Sequence, residues 1–131
     1  MKRLLILSIT ILTLISCSSN DDNLDPFIGT WSFSAVDGTE ADECSQKTTL
    51  TILENGNFIN DHYELIDDKC ELENTNKGTW INRSGGNYGI TQDGSTKESV
   101  NKVTFTNNNN TFSFNETDDD GTVEIITYKR K

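Results

Sequence analysis

The sequence predicts an all-β domain, an antiparallel up-and-down barrel of eight strands, behind an N-terminal leader and a short tether. Three observations carry that fold class. Apolar and polar residues alternate with a period of two, as in Trp31-Ser32-Phe33-Ser34-Ala35 and Thr111-Phe112-Ser113-Phe114-Asn115. Clusters of Gly, Asn and Asp, residues that accept turn conformations, separate these runs. No stretch shows the period or length of an amphipathic helix, so nothing is available to carry the crossovers that parallel strands need. A barrel of eight short strands leaves no exposed sheet edge. A seven- or eight-stranded sandwich is the alternative, because a strand count does not reveal closure.

The strands are expected over residues 28–36, 46–53, 57–66, 77–83, 88–92, 98–106, 111–115 and 122–130. The first places Trp31, Phe33 and Ala35 on one face and Thr30, Ser32 and Ser34 on the other. Gly29 allows a sharp turn or a close approach just before the indole needs its pocket. Residues 37–45 form a polar loop with room for one helical turn at most. Glu54-Asn55-Gly56-Asn57 contains Asn-Gly, the strongest short hairpin signal. Ser84-Gly85-Gly86-Asn87, Asp93-Gly94, Asn107 to Asn110 and Asp120-Gly121 supply the later turns. Gly78-Thr79-Trp80 repeats the Gly29-Thr30-Trp31 entry into a strand. The core is expected from Trp31, Phe33, Leu50, Ile52, Phe58, Trp80, Val103, Phe105, Phe112, Phe114 and one face of the last strand. In Glu124-Ile125-Ile126-Thr127-Tyr128 both faces carry apolar groups, so alternation does not choose the inward one.

The 131-residue chain has room for one such domain. Met1-Lys2-Arg3 is a basic n-region and residues 4–15 an apolar segment too short for a comfortable membrane span, the pattern of a signal peptide. Leu14-Ile15-Ser16-Cys17 resembles the lipobox of bacterial lipoproteins, in which the cysteine is acylated and the peptide is cut before it. An ordinary secretory signal with an incidental cysteine is the alternative. The resemblance implies three parts: a signal peptide over 1–16, an acylated Cys17 and acidic tether over 17–26, and the barrel over 27–131. Several acyl chains at about 0.8 kcal/mol per buried CH₂ would hold the protein to a membrane. The expected location is the outer membrane, facing the periplasm or the cell surface. Asp21 and Asp22, soon after Cys17, resemble the acidic export signal of surface lipoproteins in Bacteroidetes-type bacteria.

Loss of Lys2 and Arg3 would take the formal net charge from −10 to −12. Such a surface repels phosphate backbones, so nucleic acid is not an expected partner, and the domain is expected to act as a monomer. With Cys17 acylated, Cys44 and Cys70 remain, and two cysteines in an exported domain read as one disulfide worth roughly 3–4 kcal/mol in the chain-entropy model. Two unpaired thiols are the alternative.

After the tether, the chain resembles the lipocalin-like domains of bacterial lipoproteins. The residues that carry this are Ile28-Gly29-Thr30-Trp31, Cys44 leading into a strand and the Asn55-Gly56 hairpin, Gly78-Thr79-Trp80, and the closing Tyr128-Lys129-Arg130. The resemblance implies that a basic side chain, Lys129 or Arg130, packs over Trp31. It also implies a binding module for a small, mostly apolar ligand, with Trp80, Tyr88, Tyr63 and His62 as candidates near the barrel mouth. The domain is short, and its own aromatics can fill so small a barrel. The second reading is therefore a structural or interaction lipoprotein that binds an envelope protein or glycan through its loops. No enzyme is expected: His62 is the only imidazole, and there is no Gly-x-Ser-x-Gly elbow. No cofactor or metal is expected either. Asp118-Asp119-Asp120-Gly121 lacks the alternating spacing of a calcium loop, and one histidine without a Cys-x-x-Cys pair does not make a zinc site.

Overall fold

A computed structural model describes residues 24–131. The expected signal peptide, Cys17 and the expected tether up to Asn23 lie outside the described residues. Ten strands are present: β1 (Gly29–Val36), β2 (Thr39–Glu40), β3 (Thr49–Ile52), β4 (Asn57–Ile66), β5 (Lys69–Asn82), β6 (Asn87–Gln92), β7 (Ser99–Lys102), β8 (Thr104–Thr106), β9 (Thr111–Thr117) and β10 (Val123–Arg130). A 3₁₀ turn at Ser45–Lys47 precedes β3. All pairings are antiparallel, and the sheet order is β7-β6-β5-β4-β3-β1-β10-β9-β8, with β2 clipped to β1. The hydrogen-bonded ladder ends at β7 on one side and at β8 on the other. Those two strands are consecutive and separated only by Val103, whose N–H donates to the Gly86 carbonyl at 2.8 Å. One run of chain, expected as a single strand over 98–106, thus pairs first with β6 and then with β9. Counted this way the meander has eight strands, and its two ends meet without a closing ladder.

The core gathers at one end. Trp31, Ile52, Phe58, Val103 and Phe112 are buried there, with Leu50, Trp80, Phe105 and Phe114 packed against them. Phe27 joins them at 3 % exposure, although it precedes the first strand and was not expected in the core. It packs edge-on to Trp80 and Phe112, with ring centroids 5.8 and 5.3 Å away, and 4.6 Å from Tyr88. Burying aromatics of this size contributes roughly 1.5–3 kcal/mol each.

Register settles what alternation left open. Phe112 pairs with Tyr128 and Phe114 with Ile126, so Ile126 and Tyr128 face inward and Val123 and Ile125 outward. A bulge between Phe33 and Ala35 breaks the expected alternation of β1 and buries Ser34, an extra residue the sequence pattern placed outside. β5 begins eight residues before the expected start, at Lys69 instead of 77. Its Glu- and Asn-rich outer half is poor β-former, but pairing with β4 along the whole length of that strand overrides propensity. The result is a β4–β5 hairpin projecting past the barrel rim.

Candidate functional site

The base of the barrel is sealed by side chains whose polar atoms are all engaged. The Trp31 indole N–H donates to the Phe27 carbonyl at 2.8 Å, and that of Trp80 to the Leu53 carbonyl at 2.7 Å. Arg130 pairs across from Trp31 and lays its guanidinium 4.1 Å from the ring centroid. The same group donates to the carbonyls of Ile28, Pro26 and Asn109 at 2.9, 2.9 and 3.0 Å. A Cβ on Gly29 would fall on the Arg130 guanidinium, and Gly29 has φ 142°, so glycine is required twice over. Asn107, Asn108 and Asn109 all adopt positive φ, which asparagine tolerates, and this turn presents the Asn109 carbonyl to Arg130. Beside this, Asp25 accepts from the Tyr88 hydroxyl at 2.8 Å and from Asn82 at 2.6 Å. Burial, and then the Asp25 carboxylate, push the Tyr88 hydroxyl far above its ordinary pKa.

Above this floor lies a cavity of about 300 Å³. Its lower walls are Phe27, Phe58, Tyr88, Phe112, Phe114 and Tyr128. The rings of Phe112, Phe114 and Tyr128 are near parallel, with interplanar angles of 12–25°. Its upper rim is polar: Asn60, Asn76, Gln92, Ser99, Asn101 and Glu116. The phase of each strand explains the rim. Asn60 follows Phe58 by two residues and pairs with Asn76, while Gln92 pairs with Gly78, itself opposite Phe58. Gly78 is flat against its neighbours: a Cβ there would fall on the Thr91 carbonyl and lie 2.8 Å from the Phe58 ring. Asn101 and Phe114 also line a shallow outer hollow at the seam where the ladder is open.

Of the residues expected near the mouth, Tyr88 lines the cavity at its floor. Trp80 stands behind Phe27 and Tyr88, packing on both. Tyr63 is one position out of phase with Phe58 and Asn60, and its N–H donates to Thr48 Oγ1 at 3.0 Å, beside the β5 bulge opposite His62 and Tyr63. His62 is in phase but lies higher on the projecting hairpin, 3.4 Å from a Glu73 carboxylate oxygen. The rim amides and Glu116 were not expected.

A sequence model of the lipocalin-like domain matches residues 27–114. The chain belongs to the lipocalin-like family. The match begins at Phe27, on the cavity floor, and ends at Phe114, on its wall. No curated protein matches the chain. A lipocalin-like domain is in general a binding fold and not an enzyme.

This lipocalin-like domain is braced at the mouth side by a disulfide. Cys44, just before the 3₁₀ turn, is bonded to Cys70 on the projecting hairpin, with Cα atoms 5.4 Å apart. The bond ties the loop between β2 and β3 to the hairpin. Two polar clusters lie outside the cavity. The side chains of His62, Glu64 and Glu73 bring one ligand atom each within 4.8 Å of one another, the only group of three that can hold a metal among the described residues, and it is open to solvent. In the acidic turn, Asp118 and Asp120 both accept from the Thr122 N–H, at 2.8 and 2.9 Å. Asp120 is lowered to about 2 by its hydrogen bonds to Asp118 and then Thr122, so those carboxylates serve the turn itself.

Proposed function

We propose that the domain is a ligand-binding module of the cell envelope, held at the membrane by lipid on Cys17, that takes one small, mostly apolar molecule into the barrel. The cavity is the observation that supports this reading: aromatic below, polar at the rim, and reaching solvent through exposed Gln92, Ser99 and Glu116. Its volume sits at the lower end of the roughly 300–1,000 Å³ usual for ligand pockets. That suits a compact molecule better than a long acyl chain. A second reading, an interaction head that meets an envelope protein or glycan, draws support from Leu65, Ile66 and Leu72, which are exposed on the projecting hairpin.

Native mass spectrometry of the full chain, purified from its own host without denaturation, tests the first reading. A co-purifying small molecule is expected, and it should be lost when Ser99 on the rim is replaced by tryptophan while the melting temperature holds. A bare mass for the wild-type chain, with no response to a panel of compact aromatic ligands, contradicts it and leaves the interaction head. Replacing Cys17 by serine should release the protein from membranes; persistence in the membrane fraction would remove the lipid anchor.

A further inference from the structure

The charge distribution around the cavity narrows the ligand class. Glu116 is the only charged side chain among the residues that line it. Directly across the β9–β10 pair, on the same face, stands Glu124. Two carboxylates opposed in this way cost stability unless a counter-charge comes between them. Among the described residues neither takes part in a salt bridge; the ion pairs present are His62 with Glu73 and Arg83 with Glu98. The projecting β4–β5 hairpin adds Glu64 and Glu73. Among the described residues two cations are in phase with the interior: Lys69, opposite Ile66 at the far end of the projecting hairpin and not among the residues that line the cavity, and Arg130, which is spent at the sealed base over Trp31. Lys102 lines the outer seam hollow and not the cavity.

The walls below are equally selective. Aromatic faces carry negative electrostatic potential and attract cations as well as apolar groups. Phe114 and Tyr128 stand on the wall beneath Glu116. Tyr128 is half-buried, and among the described residues no hydrogen bond engages its hydroxyl. Burial and then the charge of Glu116 raise its pKa to about 12, so it stays a neutral hydroxyl able to accept from a donor. The rim amides of Asn60, Asn76 and Asn101 offer further carbonyl acceptors.

We infer that the cavity takes a compact aromatic or aliphatic amine, its apolar part among the phenyl rings and its ammonium at the rim beside Glu116. The inference rests on the binding-module reading and names the ligand class of that cavity. An ammonium satisfies the unpaired Glu116 and lies against aromatic faces; a carboxylate ligand would meet Glu116 with no cation to neutralise it. The net charge of −10 favours approach of cations over anions as well.

The test is calorimetric titration of the full chain, in a neutral detergent, with three probes that share one ring: 2-phenylethylamine, 2-phenylethanol and 3-phenylpropanoate. The amine is expected to bind about tenfold or more tightly than the alcohol, with no binding of the carboxylate. Glu116→Gln should remove that preference, leave alcohol binding unchanged and, by relieving the opposition to Glu124, leave the melting temperature the same or slightly higher. Glu124→Gln should weaken amine binding less. Equal binding of amine and alcohol, a preference for the carboxylate, or an amine preference that survives Glu116→Gln overturns the amine inference while the binding module stands. Binding of none of the three, together with a bare mass from the native host, overturns both.

Discussion

The two ends of this barrel are built on opposite rules. At the base every strong donor is consumed within the protein: two indole N–H groups, the Tyr88 hydroxyl and the Arg130 guanidinium all meet carbonyls or a carboxylate. At the mouth amides and carboxylates face the cavity and solvent, and like charges oppose each other in the Glu116–Glu124 pair. Saturated polar groups around a dense aromatic cluster specify and hold a fold. Open acceptors over an apolar pocket cost a little stability and leave interactions for a ligand to make. Packing and saturated hydrogen bonds concentrate at the base, a disulfide braces the projecting hairpin, and the cavity rim is left with open acceptors.

Substitutions break this comparison with effects of graded size. Trp31→Ala, at 0 % exposure, should cost about 3–5 kcal/mol in urea unfolding, a large part of a small domain's stability. A loss under 1 kcal/mol would mean that the base is not the stabilising end. Cys44→Ala or Cys70→Ala should each cost about 2–4 kcal/mol under oxidising conditions and nothing further under reducing ones. Arg130→Met should cost about 2 kcal/mol by removing the cation–π contact and leaving the Pro26 and Ile28 carbonyls without their donor. At the mouth, Asn76→Ala and Asn101→Ala should change stability by no more than about 0.5 kcal/mol while weakening any bound ligand. A loss there comparable to that of Trp31→Ala would erase the distinction.

Alkaline pH sharpens the comparison with a smaller effect. Tyr128 titrates at about 12 in the folded chain because burial, then Glu116, disfavours its anion. An unfolded tyrosine titrates near 10, so above that pH the folded state holds the proton longer. The stability contribution is intact below pH 10 and is lost progressively as pH rises toward 12. Tyr128→Phe should lessen the fall measured by urea unfolding between those values, the remainder belonging to Tyr88, whose hydroxyl is raised further. An unchanged slope would show that Tyr128 contributes nothing to it.

The base was legible in the sequence because its residues alternate cleanly and are large. Trp31, Phe112 and Phe114 lie on strands whose other face is mostly polar, and Gly29-Thr30-Trp31 marks the strand that Arg130 covers. Phe27 was not legible, since a lone aromatic after Pro26 has no periodic neighbour to assign it a face. Ser34 was misplaced because a bulge adds a residue to one strand without changing its composition. The last strand needed its partner: only pairing with Phe112 and Phe114 turns Ile126 and Tyr128 inward. The mouth was the least legible part. Asn60, Asn76, Gln92, Asn101 and Glu116 look like solvated strand positions, and polar residues above a barrel core are indistinguishable in composition from an outer face. The one available signal was phase. Asn60 continues the inward series of Phe58, and Glu116 that of Phe112 and Phe114.

Hydrogen–deuterium exchange of the full chain, with and without 2-phenylethylamine at saturation, tests the division between base and mouth most directly. Slow exchange is expected over residues 27–33, 110–114 and 128–130 in both conditions. Faster exchange is expected over 74–77, 91–101 and 115–118, slowing when the ligand is present. Fast exchange at the base, or protection by the ligand confined to the base with none at the mouth, would contradict it.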